Sequence, residues 1–136
     1  MMIGLANTAE VDALWPRLAP RFQEAIDRFG DDLSVADLWQ MCRSGQAFLM
    51  CAMDGQEPVM GAILQFQKWS NGTVLRCLIL GGNDMDGWLK DFPGAVVKVM
   101  REGGAKRFVY DGREGWSEVI KHWKPRKLRA TYEVQI

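Results

Sequence analysis

Three apolar runs with turn signals between them constrain this chain more than any other feature. Residues 46–53 form a compact apolar run that stops at Asp54-Gly55, a strong hairpin signal. Residues 58–69 follow, with Met60, Ala62, Leu64 and Phe66 alternating against more variable positions, and Ser70-Asn71-Gly72 makes the next turn. Residues 73–80 are the third run, ending in Gly81-Gly82. Strands joined by connections this short pair antiparallel, so the segment predicts a meander.

The flanks carry helical periodicity. Val11, Leu14, Trp15, Leu18, Phe22, Ile26 and Phe29 recur at helical spacing, with Asn7 or Thr8 as cap and Gly30 as terminator. Pro16 and Pro20 lie inside this stretch and predict a break near residues 14–16. Ser34 and Asp37 form a capping-box-like start for a second helix, which Gly45 ends. After the meander, Asn83, Asp84 or Asp86 can cap a helix whose buried face is Trp88, Leu89, Phe92, Val96, Val99 and Met100. Pro93-Gly94 should kink it. Residues 106–111 read as a short strand and residues 112–123 as a short helix. Residues 127–136 alternate strictly, with Leu128, Ala130, Tyr132, Val134 and Ile136 on one face, and predict a final strand. The resulting order, α-α-β-β-β-α-β-α-β, implies a mixed, mostly antiparallel sheet with helices on both faces.

A chain of 136 residues fits one domain spanning residues 1–136. Its formal net charge is zero, which removes a global electrostatic case for specific nucleic-acid binding. The charge is uneven, however: residues 1–97 carry 7 basic and 12 acidic side chains, and residues 98–129 carry 10 and 4. That asymmetry reads either as an anion-binding or docking face or as ordinary solvated surface. Cys42, Cys51 and Cys77 are odd in number and lack metal-ligand spacing, so they read as small buried hydrophobes. His122 is the only histidine, which excludes a multi-histidine metal site. No secretory leader and no membrane span is visible, which leads to the expectation of a cytosolic protein.

This order of elements, over essentially the whole length, is similar to the acyl-CoA-dependent N-acetyltransferase superfamily, the GNAT fold. A narrower likeness runs from Leu14-Trp15-Pro16 through Gly45-Gln46-Ala47-Phe48-Leu49 and ends in Gly112-Arg113-Glu114-Gly115-Trp116. It resembles small GNAT-like proteins of tailed bacteriophages and prophages, some of which are internal virion proteins. The resemblance implies residence in the host cytoplasm or the virion and a virion or host protein as partner.

The superfamily holds acetyl-CoA where the fourth strand meets the third helix, with backbone N–H groups around the pyrophosphate. The usual motif there is R/Q-x-x-G-x-G/A. Here the junction reads Leu80-Gly81-Gly82-Asn83-Asp84-Met85-Asp86-Gly87-Trp88. Glycines are present without that pattern, and Asp84 and Asp86 stand where phosphates would sit. If a cofactor binds, the resemblance assigns Gly81, Gly82, Asn83, Met85 and Arg113 to it. The tyrosine that often protonates the leaving thiolate would fall at Ile120 or a neighbour, where no hydroxyl is expected. Residues 73–80 hold no carboxylate to activate an amine.

Two readings follow. One is a catalytically degenerate protein that acts through protein contacts and uses no cofactor. The other is an active acetyl-CoA-dependent N-acetyltransferase with a divergent loop. The corner Asp111-Gly112-Arg113-Glu114-Gly115-Trp116 reads either as an anion-binding and stacking site or as a tight turn over core. Trp15, Trp39, Trp88 and Trp116 are expected in the core. Trp69 and Trp123, with the basic Lys124 and Arg126, are the expected interaction surface.

Overall fold

The computed structural model describes residues 1–30, 32–112 and 114–136, the side chain of Glu114 apart. Its elements are β1 (Met2–Leu5), α1 (Thr8–Phe29), α2 (Val35–Ser44), β2 (Phe48–Asp54), β3 (Glu57–Trp69), β4 (Gly72–Gly82), α3 (Met85–Trp88), α4 (Phe92–Gly103), β5 (Arg107–Tyr110) and α5 (Glu114–Val119). A 3-10 turn (Lys121–Trp123) follows α5. The strands form one sheet in the order β1-β2-β3-β4-β5. The first four are antiparallel neighbours, and β5 runs parallel to β4. This is the α/β architecture expected from the sequence.

Both faces of the sheet are covered because its central strands are apolar on both sides. Met50 and Ala52 of β2 face one core, which Trp88, Phe92, Val96 and Val99 of α3 and α4 complete. The alternate residues Leu49 and Cys51 face the other, under Val11, Leu18 and Phe22 of α1 and Leu38 and Cys42 of α2. Each fully buried leucine or phenylalanine contributes about 1.5–3 kcal/mol of transfer free energy.

Four expectations need correction. The chain begins with a strand, β1, that four residues are too few to announce by alternation. Helix α1 is unbroken despite Pro16 and Pro20. Both prolines are exposed, on the side away from Val11, Leu18 and Phe22, whose burial seats the helix. The helix expected to kink at Pro93 is two helices, because Pro93 falls in the first turn of α4, where its missing N–H costs no helical bond. Residues 127–136 form no strand. Lys124 takes a left-handed turn (φ 55°), and Tyr132 and Val134 beyond it are 87% and 86% exposed. Alternation decides which side chains share a face, but a strand also needs a hydrogen-bonded neighbour.

Candidate functional site

The sheet opens at one place. β4 pairs with β3 along its length, but its parallel ladder with β5 covers only Val74 to Cys77, opposite Arg107 to Tyr110. At the last rung β4 also carries a bulge: Cys77 pairs with Leu64 and Ile79 with Ile63, leaving Leu78 as the extra residue. A bulge increases local twist and bends a strand away from its neighbour. From Leu78 onward, the β5-facing edge of β4 has no ladder partner among the described residues. Leu78, Ile79 and Leu80 along it are half-buried.

The loop at the end of this edge is tied to its own chain. The N–H of Asn83 donates to the carbonyl of Val59 (2.8 Å), adding one bond to the β3–β4 pairing. The carbonyl of Asn83 accepts from Trp88 Nε1 (2.8 Å). With its amide set to satisfy both neighbours, the side chain of Asn83 donates to the Val59 carbonyl (3.2 Å) and accepts from Arg21 of α1 (3.1 Å). It is therefore turned toward α1. The N–H of Gly87 donates to the carbonyl of Asp84 (2.9 Å). Met85 is half-buried against the α4-side core.

The glycines of this loop are needed by the protein's own packing. A Cβ on Gly82 would lie 2.4 Å from the carbonyl oxygen of Val59, and one on Gly81 2.8 Å from that of Arg21. One on Gly87 would lie 2.7 Å from Asp84 Oδ2 and 2.9 Å from the Met1 methyl group. Asp84 is left-handed (φ 52°, ψ 45°) and its carboxylate caps no helical N–H. Asp84 and Asp86 are both exposed, and Asp86 sits in the first turn of α3.

At the mouth of the opening, the hydroxyls of Tyr110 and Ser117 lie 3.2 Å apart. Sequence reasoning placed no hydroxyl near Ile120, which is buried; the pairing joins β5 to α5 and has no signature in spacing. Arg76 of β4 donates to Asp111 just past Tyr110. Arg113 lies outside the described residues. Trp116 packs against the α4-side core and close to Gly112.

The three thiols offer no nucleophile. Burial pushes Cys77 up to about 12, Cys51 up to about 12 and Cys42 up to about 11. Among the described residues, no cluster of histidine, cysteine or carboxylate side chains could hold a metal ion, and no helix is long and apolar enough to cross a membrane.

The expected interaction surface is divided. Trp123 is half-buried and stacks on Phe92 at 6.1 Å, on the α4 face. Trp69, also half-buried, continues the row of Gln65 and Gln67, to which it is linked by hydrogen bonds, on the opposite face. The guanidiniums of Arg107 and Arg129 lie over its ring at 5.1 and 5.3 Å. Lys124 and Arg126 are exposed.

The same architecture recurs in solved acetyltransferase structures over nearly the whole chain. One is a ribosomal-protein-alanine N-acetyltransferase from Brucella melitensis biovar Abortus 2308, at TM-score 0.70 and 10% identity, covering 100% of both chains. Another is a probable acetyltransferase, at TM-score 0.73 and 17% identity, covering 100% of this chain and 98% of the other. The chain has the GNAT fold. A possible acetyltransferase from Clostridium difficile 630 shares that fold at TM-score 0.66 and 9% identity, over 99% and 97% of the two chains. No protein-family model matches the sequence, and no curated protein matches it. At these identities the GNAT likeness carries the path of the chain and not the roles of its residues.

Proposed function

We propose that this GNAT-fold protein does not use acyl-CoA and works through protein contacts, as a component of a tailed-phage particle. The observation that carries this reading is the Asp84–Gly87 turn. Its left-handed aspartate sets a carboxylate against Gly87, with Asp86 beside it, in the loop to which the resemblance assigns the cofactor's diphosphate. Two unit charges 4 Å apart repel by about 4 kcal/mol at an effective dielectric of about 20. Gly81 and Gly82 answer to α1 and β3, so they are no sign of a nucleotide. The particle assignment is supported by the likeness of Gly112-Arg113-Glu114-Gly115-Trp116 and the other quoted segments to phage proteins.

Calorimetric titration with acetyl-CoA tests the reading. The natural chain is expected to give no binding heat, and Asp84→Gly combined with Asp86→Asn to gain binding. Micromolar affinity in the natural chain overturns it. Recovery of the chain from purified particles tests its placement, and absence from them refutes that part.

A second reading, an active N-acetyltransferase, is favoured by the open β4 edge beyond Cys77 and by the hydroxyl pair at its mouth. An extended acyl-pantetheine arm could lie along such an edge. Thiol release with a panel of amines decides for it, and Tyr110→Phe should then slow turnover. Gly82→Asp cannot serve as the probe, because the Val59 carbonyl leaves it no room.

A further inference from the structure

A groove of about 480 Å³ lies between α1 and the start of β3, beside Asn83. Its walls hold the two prolines that α1 keeps in mid-helix. Pro16 and Pro20 stand one turn apart on one wall, and Pro58 of β3 stands on the other. A proline inside a helix is destabilising, because it removes an N–H and crowds the carbonyl four residues back. Neither helical ring is buried, so core packing does not offset that loss.

Most of the groove's donors are spent within the chain. Arg17 donates to Glu57 (2.9 Å) and to the Gln56 carbonyl (3.2 Å), so that pair is neutral. The backbone N–H and the side-chain amide of Asn83 both donate to the Val59 carbonyl. The prolines have no N–H to offer. One strong donor is left. Arg21 gives one N–H bond, to the side-chain oxygen of Asn83 (3.1 Å), and makes no ion pair among the described residues. Its place is set by close packing of α1 on the sheet. A Cβ on Gly81 would lie 2.8 Å from the Arg21 carbonyl oxygen, and one on Gly61 2.8 Å from the Phe22 ring. Arg21 is half-buried there, with guanidinium N–H groups to spare.

A planar guanidinium pairs best with a planar anion that accepts two N–H bonds at once. A phosphate dianion is a poorer match, because it calls for several donors and Glu24 lines the same groove. The proline rings supply apolar walls without donors. We propose that this groove binds an organic carboxylate with an apolar flank, Arg21 holding the carboxylate and the rings of Pro16, Pro20 and Pro58 the flank. A free acid and an acidic peptide segment present that same chemistry. The wall of α1 from Pro16 to Glu24 is about 12 Å long, enough for about three or four extended residues. The site does not depend on whether acyl-CoA binds, since α1 covers the opposite face of the sheet from α3 and α4.

Proton–nitrogen NMR on the full chain tests this, with hydrocinnamate, the blocked peptide N-acetyl-Leu-Asp-Leu-amide and inorganic phosphate titrated to tens of millimolar. The side-chain N–H signals of Arg21 and Asn83 are expected to shift with a carboxylate probe, and the tighter of the two names its source as free acid or peptide. The peptide with asparagine in place of aspartate should not bind. Arg21→Gln should weaken binding roughly tenfold or more. Glu24→Gln removes a like charge from the groove and should tighten binding roughly twofold to fivefold, a gain that misfolding cannot produce. No shift with either carboxylate, equal binding by Arg21→Gln, weaker binding by Glu24→Gln, or phosphate binding more tightly than both carboxylates overturns the proposal.

Discussion

Cys42, Cys51 and Cys77 were legible as buried side chains because each sits in an apolar run of a periodic segment, and all three are buried and free. Their burial has a consequence for stability. An unfolded thiol ionises near its ordinary value of 9.0, whereas the folded ones hold their protons to about 11 or 12. Between those values the unfolded chain binds fewer protons than the folded one, so stability falls as pH rises. The urea midpoint should therefore drop from pH 8 to pH 10, and Cys51→Ala should flatten that dependence; an unchanged slope would refute it. The candidate loop was legible at this scale too, since two aspartates beside glycines are visible in the sequence. The requirement of Gly82 for the Val59 carbonyl was not, because that contact lies across 23 positions of chain.

Elements were legible where periodicity and turn chemistry agreed. Asp54-Gly55 and Asn71-Gly72 mark the hairpins of β2–β3–β4, and Gly55 and Gly72 do take positive φ there. β1 and residues 127–136 were misjudged for one shared reason: a strand's existence depends on a neighbour, which local pattern does not encode. α4 offers a sharper test of what holds an element in place. At Gly103 a Cβ would fall 2.0 Å from the ring of Phe66, while at Gly94 it would meet nothing within 4 Å. Gly103→Ala should destabilise by about 1–3 kcal/mol through overpacking. Gly94→Ala should stabilise by about 0.5–1 kcal/mol, since alanine loses less backbone freedom in a helix. Chemical denaturation of the two variants checks the pair, and equal effects would show that α4 does not rest on Phe66.

At the scale of the molecule, the two cores share one sheet. Ile63 and Leu64 are adjacent in β3 and fully buried on opposite faces. Neither face can loosen without disturbing the strand that serves the other. Ile63→Ala and Leu64→Ala should each cost about 2–5 kcal/mol. Their thermal transitions by far- and near-ultraviolet circular dichroism should coincide, as cooperative unfolding requires. Separated transitions would mean the faces melt independently. The pair of guanidiniums over Trp69 bears on the same scale. One of them belongs to the sheet and the other to residues 127–136, so the part of the emission that Trp69→Phe removes from the six tryptophans is a built-in gauge of that segment: it should shift in Arg129→Ala, where Arg107 remains.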